Sequence, residues 1–173
     1  MKHYPPKYYY KFRKQSGKRG LPLVRILFHD VLAELVGSLY ECLCKLKICT
    51  PKVLVMMDGG ICSQMQQYLI GQIYAEQGEI VGYDLTFYEK NGMDVDNKYP
   101  KFFELEEMFP GIHVEIYNKV ENWFYRMFLR YSSLDQKLPD FQGHRVSPIY
   151  LTGYYQLDDQ LFFEQFTRLF SKY

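Results

Sequence analysis

The chain has 173 residues, of which 47% are hydrophobic and 24% are charged, so it can bury a core and its composition excludes an intrinsically disordered protein. Its 21 basic residues nearly balance its 20 acidic residues, but residues 1–52 hold 11 of the basic residues and only 3 of the acidic ones. This split excludes a uniformly basic nucleic-acid-binding domain and indicates a cationic N-terminal segment on a mildly acidic body. We therefore expect no nucleic-acid partner.

Residues 1–20 are predicted to form a disordered basic arm. They contain seven Lys or Arg residues, no Asp or Glu, and five aromatic side chains. Because aliphatic residues are few, the arm is not expected to build a core of its own. Cations interleaved with aromatic rings suit an anionic phospholipid surface and equally a single-stranded nucleic acid. The simpler alternative is a tail with no binding role.

Residues 21–50 are predicted to form an amphipathic helix with a narrow polar stripe. At helical spacing the polar positions fall within about 80° of one another, and apolar residues cover the rest. The polar stripe consists of Asp30, Glu34, Ser38, Glu41 and Lys45. No uncharged run reaches the roughly 18 residues that a transmembrane span requires. Two interpretations stay open: peripheral contact with an anionic membrane, or a helix that packs its apolar face on the body.

The four cysteines are Cys42, Cys44, Cys49 and Cys62. Disulfide bonds within so short a segment would not connect distant parts of the chain, so we predict no disulfide framework. The spacing of the cysteines is not that of a zinc site, so we predict no metal. The basic start is followed by no signal-peptide cleavage pattern. A cytoplasmic setting is expected, with attachment to the inner face of the cytoplasmic membrane if the helix binds lipid.

Residues 51–173 are predicted to form an α/β domain. Residues 52–57 and 80–87 have the pattern of strands, and residues 63–77 between them have helical spacing. A strand, a glycine turn, a helix and a second strand in this order predict a βαβ unit with a parallel strand pair.

The alternation of helices and strands continues to the end of the sequence. We predict a helix at 100–108, a strand at 112–117, a helix at 120–131, a strand at 149–152 and a helix at 158–171. Such alternation indicates a doubly wound, mostly parallel sheet. Because this fold is expected to return into another strand after the last helix, we expect a further C-terminal half.

The turn Asp58-Gly59-Gly60 follows the first predicted strand and precedes a helix, which is where α/β proteins bind ligands. Glycines there let backbone amides approach an anion, and the helix contributes the positive end of its dipole. The spacing is neither that of a dinucleotide-binding loop nor that of a phosphate-binding P-loop. The alternative is a tight turn without a ligand.

Residues 59–68 resemble the Gly-Gly-Leu-Gly-Asn-Gln-Met-Phe-Gln-Tyr segment of bacterial alpha-1,2-fucosyltransferases, which form glycosyltransferase family 11. Six of the ten positions agree: Gly59, Gly60, Gln64, Met65, Gln67 and Tyr68. The likeness continues in residues 83–88 and 103–110, and in residues 153–156, which resemble the family's Gly-Tyr-Trp-Gln. It covers roughly residues 52–173.

The resemblance implies the N-terminal half of a two-domain, GT-B-like glycosyltransferase. Such an enzyme would transfer a sugar from a nucleotide-sugar, with GDP-fucose as the expected donor, to a saccharide hydroxyl in bacterial surface glycan synthesis. The substrate-binding residues implied are Gly59, Gly60, Ser63, Gln64, Tyr154, Tyr155 and Gln156. Beyond these two substrates, no cofactor is expected.

The chain also departs from the family pattern. Cys62 and Ser63 replace the usual Gly-Asn, and the donor-site motif His-x-Arg-Arg-Gly-Asp does not occur in the sequence. We therefore expect the isolated chain to be inactive. A non-catalytic α/β binding module, or the degenerate half of a split enzyme, is the alternative.

Three carboxylates are candidate catalytic bases, namely Asp58, Asp84 and Asp158. Each lies at a strand end or a helix start, where α/β clefts form, and sugar transfer to a hydroxyl benefits from a base. Each is alternatively a cap or turn residue. The sequence alone does not identify which of the three carboxylates is the base.

Overall fold

The computed structural model describes residues 21–89, 92–93, 98–131, 148–152 and 159–171. The basic arm lies outside these residues. The chain divides between Cys49 and Thr50 into two units. The first unit contains one long helix, and the second contains a parallel sheet with its helices.

Helix α1 of the first unit spans Leu21–Lys45. It ends in a Schellman motif, in which the N–H of Ile48 donates to the carbonyl of Leu43 and that of Lys47 to the carbonyl of Cys44, each over 3.0 Å. Lys47 takes the left-handed conformation, with φ 60°, that this motif requires. The helix therefore stops about one turn before the predicted end at residue 50. No helix in the described part of the chain is long and apolar enough to cross a membrane.

The second unit is built on a four-stranded sheet. The strands are β1 (Lys52–Met56), β2 (Ile80–Asp84), β3 (Arg130–Tyr131) and β4 (Ile149–Leu151). Their spatial order is β2-β1-β4-β3, and every neighbouring pair is parallel. The predicted α/β class is confirmed. The central residues of β1 are apolar and almost completely buried, as expected for a parallel strand that is covered on both faces.

Five helices of this unit are described: α2 (Ile61–Glu76), α3 (Thr86–Glu89), α4 (Leu105–Met108), α5 (Lys119–Phe128) and α6 (Asp159–Phe170). Helix α2 connects β1 to β2, α5 precedes β3, and α6 follows β4. Asn118 caps α5, because its side chain accepts a hydrogen bond of 2.9 Å from the N–H of Glu121.

The two faces of the sheet contact different helices. On one face, Tyr83 of β2 stacks on Tyr68 of α2 with ring centroids 5.7 Å apart, and Phe170 of α6 packs edge-on against Tyr68. On the other face, Tyr150 of β4 lies among polar residues of β2 and α5. Side chains alternate between faces along each strand, so neighbouring residues in β2 serve different packing layers.

Four predicted elements of the second unit differ in the structure. The strand predicted at 80–87 ends at Asp84 and is followed by helix α3. The strand predicted at 112–117 was wrong, since only Ile116 forms an isolated bridge, to Tyr83. The bridge contains one backbone hydrogen bond of 2.9 Å, from the N–H of Tyr83 to the carbonyl of Glu115, and the N–H of Val114 donates to the carboxylate of Glu106 over 2.7 Å. The helix predicted at 120–131 ends at Phe128 and is followed by β3. The helix predicted at 100–108 is reduced to the single turn of α4.

Candidate functional site

The candidate site lies where the order of strands reverses. From β1 the chain moves to β2 on one side, whereas β4 and β3 occupy the other side. In parallel sheets a crevice opens at such a point, at the carboxyl ends of the strands. The topology therefore brings the turn after β1 and Thr152, which directly follows β4, to the same edge. The candidate residues Tyr154, Tyr155, Gln156 and Asp158 lie outside the described residues.

The two glycines of the turn have different conformations. Gly59 has φ 74°, in the left-handed region that favours glycine. Its carbonyl accepts hydrogen bonds from the hydroxyl of Tyr88 (3.1 Å) and from Nε2 of Gln64 (3.5 Å). Gly60 has φ −90° and ψ −175°, which any residue can adopt. A Cβ atom at Gly60 would meet none of the described residues within 4 Å. The described part of the fold thus accounts for a glycine at position 59 but not at position 60.

Asp58 is held by a glutamine of α2. The backbone N–H of Asp58 donates to Oε1 of Gln67 over 2.9 Å, and Nε2 of Gln67 donates to Oδ1 of Asp58 over 2.6 Å. Gln67 is 1% exposed, whereas Asp58 is half-buried. The pair fixes both the start of the turn and the orientation of the carboxylate.

Gln64 is completely buried. Its Oε1 accepts from the N–H groups of Glu104 (2.9 Å) and Leu105 (3.1 Å), and its Nε2 donates to the carbonyl of Phe102 over 2.7 Å. The amide therefore ties α2 to the chain that leads into α4. A substrate-binding role for Gln64 stays a prediction.

The first turn of α2 is the part of the site that solvent reaches. Cys62 is exposed and Ser63 is half-buried. No side chain caps the helix at Gly60, and its first turn has no acidic residue. The positive end of the helix dipole therefore faces the turn without a carboxylate of its own element to neutralise it.

Asp84 has a different environment from Asp58. It is completely buried, and its Oδ2 accepts from the hydroxyl of Tyr150 over 2.6 Å. Its Oδ1 accepts from Nδ2 of Asn122 (3.3 Å) and from the backbone N–H (2.9 Å) and hydroxyl of Thr86. Burial, reinforced by the bond to Asp84, raises the pKa of Tyr150 above its usual range. The carboxylate joins β2, β4 and α5, and no oxygen of it is open to a substrate hydroxyl.

A further charged cluster lies at the amino end of β1. Nζ of Lys52 is 2.5 Å from Oε1 of Glu121 and lies 4.3 Å from the centre of the Tyr117 ring. Burial, together with the nearby carboxylates of Glu115 and Glu121, raises the pKa of Tyr117 to about 12. Because Lys52 begins the strand that the glycine turn follows, this cluster lies away from the candidate site.

Sequence reasoning missed two residues that shape the turn, Gln67 and Tyr88. The signal for Gln67 was present, since it is, like Gln64, a polar residue on the buried face of α2 and one of the positions shared with the fucosyltransferase segment. Tyr88 lies 29 residues from Gly59 along the chain, and no local pattern connects them.

No family model, no curated protein and no solved structure matches the chain. In the described ranges, no group of three His, Cys, Asp or Glu side chains is arranged to hold a metal ion. The case for a function consequently rests on the geometry of the turn and on the residues shared with the fucosyltransferase segment.

Proposed function

We propose that this chain is the N-terminal, doubly wound half of a GT-B-like glycosyltransferase that transfers fucose from GDP-fucose to a saccharide hydroxyl in bacterial surface glycan synthesis. The position of the glycine turn supports this, because it lies at the strand reversal where parallel sheets bind ligands. The donor-site motif that the sequence lacks would belong to a C-terminal half.

Gly60 is the observation that carries the proposal. The six positions shared with the fucosyltransferase segment divide into two groups, and five of them have a role inside the fold. Gly59 has a positive φ, Gln64 and Gln67 are buried and bonded, and Met65 and Tyr68 pack on the core. Gly60 alone has ordinary dihedral angles and open space where a Cβ would lie. A glycine that the fold does not need is explained by the close approach of a ligand to the backbone.

The turn offers two chemical functions in this reaction. The uncapped N-terminus of α2 faces the turn and favours an anion or a polar hydroxyl of the substrate. We assign the base to Asp58, which is half-buried and oriented by Gln67, rather than to the enclosed Asp84. The base accepts the proton of the acceptor hydroxyl while that oxygen bonds to the anomeric carbon of fucose. The bond from that carbon to the phosphate oxygen breaks, and GDP leaves with its electron pair.

The test is GDP release from GDP-fucose in the presence of saccharide acceptors, measured on the complete gene product. Gly60→Val is expected to lower kcat/KM by about 100-fold or more with an unchanged melting temperature, because misplacing a substrate by one ångström can cost this much. Ala75→Val is the matched control, since Ala75 is exposed at the other end of α2. Full activity of Gly60→Val would remove the turn from the site. Absence of GDP release by the wild type would refute the transferase itself.

A further inference from the structure

Helix α1, together with Leu46 directly after its end, carries a row of large apolar side chains that are open to solvent. At 100° per residue they fall within about 100° of arc, on one side of the helix. Their exposed fractions are Phe28 69%, Val31 56%, Leu32 41%, Leu35 65%, Leu39 62% and Leu46 64%. Single exposed apolar residues are ordinary on proteins, whereas a contiguous row of six is typical of an interaction surface. We refer to these six residues as the apolar stripe.

The apolar stripe lies on a different side of α1 from the buried residues of the same helix. Gly37 and Cys44 are buried and lie roughly opposite the stripe at helical spacing. Glu34 and Lys45 are exposed and border it on one side. At helical spacing the exposed apolar residues of α1 therefore lie on a different side of the helix from its buried residues and from its exposed charged residues.

The charges at the two ends of the helix indicate the partner of the apolar stripe, whereas the acidic residues Asp30, Glu34 and Glu41 lie on another side of the helix at helical spacing. The 20 residues before α1 contain seven Lys or Arg and no acidic residue, and at the other end Lys45 and Lys47 are exposed. Cations at both ends of an apolar helix face match a surface that is anionic outside and apolar just beneath. A second copy of the chain would bring the seven cations against each other in a parallel pair, or against Lys45 and Lys47 in an antiparallel pair, and both arrangements disfavour self-association.

We propose that α1 lies flat in the interface of an anionic membrane, with the apolar stripe inserted below the headgroups and the cations on lipid phosphates. Its 25 residues extend over about 37 Å, enough to lie across many lipids. The anionic inner leaflet of a cytoplasmic membrane is such a surface. There the helix would hold the α/β unit next to membrane-bound acceptors, although the attachment does not depend on the transferase activity.

Vesicle flotation of the full chain tests the attachment. Vesicles of phosphatidylserine and phosphatidylcholine should carry the wild type, whereas the double variant Leu35→Glu, Leu39→Glu should bind at least about tenfold more weakly. Ser38→Glu is the matched control, because it adds an acidic residue at an exposed polar position of the same helix. It should retain most of the binding. Raising the salt to about 0.5 M should weaken binding of the wild type, since the cations are then screened.

A second variant measures insertion directly and does not depend on a charge substitution. Leu35→Trp, made together with Trp123→Phe to remove the natural tryptophan, should shift its emission to the blue on anionic vesicles and not on phosphatidylcholine alone. Equal flotation of the wild type and the double glutamate variant would overturn the proposal. So would a vesicle-independent dimer, seen by ultracentrifugation, that the glutamate pair dissociates, because the partner would then be a second copy.

Discussion

Asp58 and Gln67 bond to each other twice, once through the backbone N–H of Asp58 and once through its carboxylate. The glutamine is 1% exposed, so both bonds form where water competes little. This reciprocal pair joins the end of β1 to the second turn of α2. It therefore connects the stability of the βαβ unit to the geometry of the candidate site.

Replacing Gln67 with methionine should lower the free energy of unfolding by about 2–4 kcal/mol, since it removes two hydrogen bonds and leaves the buried N–H of Asp58 without its acceptor. Methionine has a similar volume, so no large cavity forms. Denaturant unfolding provides the measurement. Gln77→Met is the control, because Gln77 is exposed at the end of α2 and should change stability by less than about 0.5 kcal/mol. Equal effects of the two substitutions would mean that the Asp58 pair contributes nothing.

The two glycines of the turn should respond differently to alanine. Gly59→Ala should cost about 1–2 kcal/mol, because its φ of 74° is strained for any residue with a Cβ atom. Gly60→Ala should be neutral or slightly stabilising, by up to about 1 kcal/mol, because it restricts the unfolded chain without a clash. Thermal unfolding of the two variants side by side decides this. A large loss at Gly60 would show that the fold, and not a ligand, requires that glycine.

The sequence was sufficient to predict the βαβ unit because its signals are local. An apolar run between Pro51 and the glycine turn predicts a buried strand, and apolar spacing followed by Gly78 predicts a helix and its end. The structure places β1, α2 and β2 within a few residues of these predictions. Glycine turns and hydrophobic periodicity need no knowledge of distant partners.

The strand predicted at 112–117 was wrong because strand pairing depends on residues that are distant in the sequence. The segment 112–117 has buried Ile112 and Val114 alternating with exposed residues, as a strand would. The structure gives this segment only one bridge to β2, in which the N–H of Tyr83 donates to the carbonyl of Glu115 over 2.9 Å. Alternation predicts which side chains are buried, but it does not predict whether a neighbouring strand pairs with the segment.

The candidate site shows the same limit. The resemblance marks Gln64 and Gln67 as special but does not say why. The hydrogen bonds that the two side chains make show that both stabilise the fold. For Gln64 the bonded groups lie about 40 residues away in the chain. The opposite holds for Gly60, where an added Cβ atom would meet none of the described residues within 4 Å.

Gly82→Ala should be strongly destabilising. Its Cβ would lie 1.6 Å from a ring carbon of Tyr117, so the ring must leave the face of β2. Overpacking of this kind costs about 1–3 kcal/mol. The loss should be smaller when Tyr117→Ala is made at the same time, because the clash is then absent. A double-mutant cycle by denaturant unfolding measures the coupling, and strict additivity would exclude the proposed contact.

The isolated 173-residue chain should bind neither GDP nor GDP-fucose measurably, because the cationic donor motif of the family does not occur in it. Isothermal calorimetry is the direct measurement. Alkylation of the exposed Cys62 with and without each nucleotide gives a local readout, since Cys62 lies two residues after Gly60. Micromolar affinity, with protection of Cys62, would mean that the turn itself forms a complete nucleotide site.

Tyr150 makes the stability of the sheet sensitive to alkaline pH. Its pKa is raised on folding by burial and by its bond to Asp84, and the pKa of Tyr83 is raised mainly by burial. The protonated phenol is therefore favoured in the folded chain. Its contribution is complete below about pH 10, the unfolded pKa, and is lost as pH rises toward the higher folded pKa.

Tyr150→Phe should consequently have two separable effects. At neutral pH it should cost about 1–3 kcal/mol, because Oδ2 of the buried Asp84 loses its donor. Above about pH 10, the slope of stability against pH should become shallower by up to about 1.4 kcal/mol per pH unit, since one fewer proton is released on unfolding. Denaturant unfolding from about pH 7 to about pH 11 measures both effects. Tyr99→Phe, at an exposed position, should leave the neutral-pH stability unchanged within about 0.5 kcal/mol. An unaltered alkaline slope in Tyr150→Phe would mean that the phenol ionises equally in the folded and unfolded chain, and that its hydrogen bond to Asp84 does not restrain the proton.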